Sequence, residues 1–84
     1  MPTNEESIAT WGIRSPGDLG RAIAGARRER GLTQEKLAEE LGIDRSYLAK
    51  METGQSSLAL ERSLRALRRL GAKVTVTLPT GNGR

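Results

Sequence analysis

The sequence predicts a mainly α domain: four short helices followed by a short β-strand near the C-terminus. Three observations predict it. Apolar residues recur at helical spacing in four separate runs that end at Leu70. Each run is preceded by a capping residue and followed by a glycine. After Gly71 the period changes to strict alternation, Lys73-Val74-Thr75-Val76-Thr77-Leu78, with β-branched side chains prominent, and Pro79 closes it.

The elements follow in order. Residues 1–14 mix Pro2, Asn4, Glu5, Glu6 and Gly12 with scattered apolar residues and no clear period. They are expected to form a flexible arm, with Trp11 or Ile13 as one apolar anchor on the body. A helical domain is expected over 15–71. Ser15 suits the first cap, Pro16 the first helical position, and Asp18 the positive end of the helix dipole. That helix should run to about Arg30 with Leu19, Ile23 and Ala26 on one face, and Gly31 should end it. Thr33 caps the second helix (33–41), although Lys36 stands where a full capping box has an acid. Asp44 caps the third (44–53), which Gly54 closes. Ser57 opens the fourth, with Leu60, Leu64 and Leu67 at i, i+4, i+7, flanked by Leu58 and Leu70. Arg68 and Arg69 complement its negative end.

The dimerisation strand, residues 72–79, poses a problem. A lone strand leaves its backbone donors and acceptors unpaired. Pairing with the same strand of a second copy, through Val74, Val76 and Leu78, is the simplest solution. The plainer alternative is a frayed extended tail, because isolated strand pairs are weak. Residues 80–84 are flexible by composition.

The second and third helices carry most of the functional information. A compact two-helix unit needs apolar inner faces, a small residue at the contact and a glycine at the bend. Leu37, Leu41, Ile43, Leu48 and Met51 fill the inward positions, Ala38 is the small contact, and Gly42 permits the left-handed bend. The segment LTQEKLAEELGIDRSYLAKMETG resembles the helix-turn-helix of the lambda-repressor/Cro (XRE-like) family. The resemblance implies a four-helix, lambda-repressor-like domain whose third helix enters the major groove of double-stranded DNA. Arg45, Ser46, Tyr47 and Lys50 are then its outward residues, with Arg45 suited to bidentate bonds with guanine. Gln34 matches the family glutamine that contacts the DNA backbone, and Thr33 and the nearby amides suit a phosphate. Arg27 and Glu52 match a pair that holds the third helix at its angle. The plainer readings are solvated charges at Arg45 and Lys50, a surface filler at Ser46, and a Tyr47 packed on the fourth helix. Where many relatives carry Lys or Arg in the loop after Gly54, this chain has Gln55-Ser56-Ser57; Arg14, Arg28 or Arg62 are candidates to compensate.

The run from Ser15 to Pro79, through SPGDL, LTQEKLAEELGI and LGAKVTVTLP, is similar to HipB-type antitoxins. That resemblance implies a dimeric repressor on an inverted-repeat operator that also neutralises a HipA-type Ser/Thr kinase toxin. The alternative is a stand-alone dimeric regulator without a toxin.

Composition agrees with these expectations. The net charge is +4, unevenly placed: −2 over residues 1–20 and +6 over 21–84. A basic body attracts polyanions, although soluble helices also carry Arg and Lys for solubility. There is no cysteine and no histidine, which leaves no disulfide, no Ser/His/Asp or Cys/His catalytic set, and little basis for zinc. Neither an enzyme nor a cofactor is expected. No apolar stretch approaches the ~20 residues that span a bilayer, and the polar, acidic start lacks a signal-peptide pattern. A cytoplasmic, bacterial, nucleoid-associated protein is the expectation, with no membrane partner.

Overall fold

The helices begin and end where caps and glycines place them. In the computed structural model, which describes residues 7–55 and 57–80, they are α1 (Pro16–Glu29), α2 (Gln34–Leu41), α3 (Arg45–Glu52) and α4 (Leu58–Arg69). Ser15 Oγ accepts from Asp18 N at 3.2 Å, Thr33 Oγ1 from Lys36 N at 3.0 Å, and Ser57 Oγ from Leu60 N at 3.2 Å. Each such cap is worth about 1 kcal/mol. Asp44 occupies the cap position of α3 but makes no side-chain cap bond. At the α2–α3 bend Gly42 is left-handed (φ 73°), and Ile43 N closes on Ala38 O at 3.0 Å.

The largest departure from expectation is at the N-terminus. Residues 7–13, expected within a flexible arm, form a strand, β1 (Ser7–Ile13). It pairs antiparallel with β2 (Val74–Thr80), from Ser7↔Thr80 to Ile13↔Val74. The C-terminal strand therefore meets its need for a partner inside its own chain. Val74, Val76 and Leu78, expected to pair across a dimer, lie opposite Ile13, Trp11 and Ala9 of the same molecule. The physical reason is that Ala9, Trp11 and Ile13 alternate, so pairing turns one apolar side of each strand to the same face. The expectations for residues 1–6, 81–84 and Ser56 lie outside the described residues.

That face covers α1. Ile13, Ala22 and Leu64 form the buried cluster, with Trp11, Leu19, Leu60, Val74 and Val76 packed against it. The outer face of the sheet presents Thr10, Gly12, Thr75 and Thr77, all exposed. The helix α1 packs on the sheet, α3 and α4, and two glycines permit close approaches. A side chain at Gly20 would meet the backbone carbonyls of Glu52 and Met51 at 2.5 and 2.6 Å. At Gly25 it would meet the Trp11 ring at 2.5 Å. The buried residues of α1 are accordingly Gly20, Ala22 and Ala24, while Leu19, Ile23 and Ala26, the expected core face, are half-buried.

The two-helix unit buries Leu48 and Ala38 completely, with Leu37, Ile43 and Met51 half-buried. Leu41, expected inward, is 55% exposed. It is the last residue of α2, which packs chiefly on α3, and it projects past that contact. The Cα frame measures only 42 × 35 × 15 Å, so the molecule is a slab about two packed elements thick. A slab has little interior, and Leu58 and Leu70 on α4 stay exposed.

Candidate nucleic-acid interface

The helix α3 has one buried face and one bare face. Leu48 is fully enclosed, Met51 and Ala49 are half-buried, and Arg45, Ser46, Tyr47 and Lys50 are exposed. Tyr47 keeps 58% of its surface, so it does not pack away under α4. It lines a shallow concavity of about 210 Å³ with Lys50, Met51, Gln55 and Ser57. The four residues expected to meet bases thus share the open side of one helix, next to the α3–α4 loop. Neither Arg45 nor Lys50 has an ion-pair partner among the described residues, so both charges are available to an anion.

The tilt of α3 is set from its other end by a buried ion pair. Arg27 Nε donates to Glu52 Oε2 at 2.7 Å and Arg27 Nη2 to Glu52 Oε1 at 3.1 Å. The two side chains are only 9% and 5% exposed. Arg27 Nη1 also donates to Leu32 O at 2.9 Å, which ties the α1–α2 turn into the same network. The bonds from Arg27 hold the Glu52 carboxyl below the usual carboxylate range, with burial opposing and the Gln34 bond assisting. The same bonds raise the Arg27 guanidinium above its ordinary value. A bidentate arginine fork fixes angle as well as distance. The network therefore sets how α3 is presented.

Gln34 belongs to that network. Its Nε2 donates to Glu52 Oε1 at 2.8 Å and its side chain is part-buried. The expectation that Gln34 touches DNA therefore needs a refinement: its amide nitrogen faces inward and joins α2 to α3. Thr33 is exposed, with its hydroxyl oxygen already accepting from Lys36 N. Of the first backbone N–H groups of α2, Lys36 N is taken by that cap, and those of Gln34 and Glu35 have no intrahelical partner. The Gln34–Glu52 bond was beyond sequence reasoning, because spacing encodes which face a residue occupies and not which partner its amide selects.

Two basic features were only glimpsed in the sequence. Arg21 and Arg28 line an open cleft of about 710 Å³ with Trp11, Gln34 and Glu52, and Arg21 pairs with Asp18. Between the start of α1 and α4, Arg14, Arg62, Arg65 and Arg68 line a second cleft. Arg14 and Arg62 stand out in the sequence as candidates to replace the missing basic residues of the α3–α4 loop; the cleft that joins them is tertiary.

The sequence signature of the helix-turn-helix family matches residues 23–76, from mid-α1 into β2. The chain is 27% identical over 67 residues to the uncharacterized HTH-type transcriptional regulator y4mF of Sinorhizobium fredii, covering 80% of this chain and 88% of that protein. It is 44% identical over 45 residues to an uncharacterized HTH-type transcriptional regulator of Methanothermobacter thermautotrophicus, covering 54% of this chain and 65% of that protein. No solved structure matches the chain closely enough to count. Among the described residues no helix is long and apolar enough to cross a membrane. With its signature spanning most of the chain and its bend, buried inner face and bare outer face all in place, the chain belongs to the helix-turn-helix family.

Proposed function

We propose that the protein is a sequence-specific DNA-binding transcriptional regulator that acts as a dimer. The observation that carries this is the bare face of α3, where Arg45, Ser46, Tyr47 and Lys50 are exposed while Leu48 is fully buried. Arg45 reads a base through its fork, Lys50 and the α2 N-terminus hold phosphates, and the Arg27–Glu52 pair sets the angle. One short helix covers only a few base pairs, so useful specificity needs two copies. The dimer is supported by the uncovered apolar residues Ile8, Leu58 and Leu70, which are 60, 57 and 79% exposed. The outer edges of β1 and β2 offer a further route, since a two-stranded sheet leaves one edge of each strand open.

The finer role we propose is that of an antitoxin, repressing its own operon and neutralising a HipA-type Ser/Thr kinase. This rests on the sequence resemblance of Ser15 to Pro79 to HipB-type antitoxins. A stand-alone regulator is the second reading, favoured by relatives that are both named HTH-type transcriptional regulators. Fluorescence anisotropy on the promoter of the protein's own operon tests the DNA reading. Affinity is expected to exceed that for random duplex by at least ~10³ and to fall steeply with salt. Equal affinity for both duplexes would refute sequence-specific binding. Co-expression with the adjacent reading frame separates the two finer roles. A co-purifying kinase whose activity drops in the complex supports the antitoxin, and free proteins support the stand-alone regulator.

A further inference from the structure

The cleft between the start of α1 and α4 is lined by Arg14, Arg62, Arg65 and Arg68, with Pro16 and Leu58 as its apolar wall, and encloses about 380 Å³. Arg62, Arg65 and Arg68 stand three residues apart on α4, so they form one row with ~4.5 Å between successive positions along the axis. Arg68 donates to the backbone carbonyl of Arg14, which brings the end of β1 against α4. Arg14, Arg62 and Arg65 have no ion-pair partner among the described residues. The single acid in the cleft is Glu61, and it pairs with none of them. Four arginines thus line one cleft against a single described carboxylate, and the recess carries a net positive charge.

We propose that this cleft binds an acidic peptide segment of a partner protein, in extended form, with its carboxylates on the arginine row. Three features favour a peptide. The planar fork of arginine matches a carboxylate with two parallel bonds, and arginine clusters are a recurring means of holding acidic motifs. An extended chain advances ~3.3 Å per residue, so side chains on one side of it recur at ~6.6 Å, between the ~4.5 Å step from Arg62 to Arg65 and the ~9 Å span from Arg62 to Arg68. The site is also a narrow recess with Leu58, 57% exposed, on its wall. A peptide has apolar side-chain stems to lay on that wall, whereas a DNA backbone offers only its sugars, each between two charged phosphates. The proposal does not depend on the DNA-binding role assigned to α3.

The test uses the full chain and a fluorescein-labelled dodecapeptide of Glu-Ser repeats, read by anisotropy at low salt. Arg62→Gln/Arg65→Gln removes two charges inside the cleft. Arg30→Gln/Arg69→Gln removes the same charge from exposed positions outside it. The first pair is expected to weaken peptide binding at least ~tenfold and the second less than ~threefold, as loss of charge-assisted bonds implies. Both variants are expected to bind random duplex DNA equally well. Equal loss of peptide binding in the two variants, or no binding by the wild type, would overturn the proposal. A selective loss of duplex binding in Arg62→Gln/Arg65→Gln would also overturn it, and would assign the row to DNA phosphates.

Discussion

Replacing Arg27 with alanine removes three hydrogen bonds at once, two to Glu52 and one to the Leu32 carbonyl. What remains is a carboxylate 5% exposed whose surviving side-chain partner is Gln34. Stripping one member from a buried ion pair costs about 3–5 kcal/mol, mostly because the other charge stays buried. The lower end applies here. Gln34 keeps its bond, Arg28 supplies a second nearby cation, and Glu52 borders an open cleft through which water can approach. The expected loss is therefore about 3 kcal/mol, a fall in Tm of about 12–24 °C for a domain of this size. The pH dependence adds an independent check. In the wild type the folded-state pKa of Glu52 is depressed, so its contribution is present above the ordinary value of 4.5 and is lost as pH falls through the folded value. Without Arg27 the largest cause of that depression is gone, and burial is opposed only by the Gln34 bond and the Arg28 charge. The gap between the two melts should thus narrow as pH drops below about 4.5. A Tm within about 2 °C of wild type at neutral pH, set against the shift expected for a buried pair, would refute the reasoning. A gap independent of pH would refute the assignment to Glu52.

Three other outcomes are expected. Arg45→Ala should cost about 1–3 kcal/mol on the operator and relax preference at one base pair; equal weakening on random duplex would show that Arg45 only holds phosphate. Gly20→Ala should destabilise by about 2–3 kcal/mol and Gly25→Ala by about 1 kcal/mol, as read by urea melts. The first Cβ meets backbone carbonyls, whereas the second meets a tryptophan ring that can swing aside; the reverse order would contradict this packing. Truncation before Lys73 should weaken the helical domain itself, because it removes the strand paired with β1 and uncovers Trp11 and Ile13. An unchanged melt by circular dichroism would show that the sheet is dispensable.

The helices were legible because their signals are local. Ser15, Thr33 and Ser57 cap where their hydroxyls suggest, and the glycine after each helix turns left-handed. The inner and outer faces of α3 follow from spacing alone. The strand β1 was not legible, since Gly12 weakens the strand pattern and Ser7-Ile8-Ala9 carries little of it. The one local clue is the alternation of Ala9, Trp11 and Ile13. It gains meaning only beside Val76 and Val74, which are distant in sequence. Leu41 looked inward because its period fits, but period does not say where a partner helix stops. The arginine cleft was hidden for the same reason, as Arg14 meets Arg62 and Arg65 only through the tertiary fold.

The pairing of Ser7–Ile13 with Val74–Thr80 also governs when the molecule can finish folding. The helices close over shorter loops, α2 on α3 at once and α1 on α3 across the 25 residues from Arg27 to Glu52. Ile13 and Trp11 must wait for Val74 and Val76, the far end of a long closure that slows the final step. During synthesis, the reading helix is therefore complete well before the core beneath α1 is sealed. A chain that ended between Gln55 and Val74 would carry its recognition helix with the partner strand of Trp11 missing.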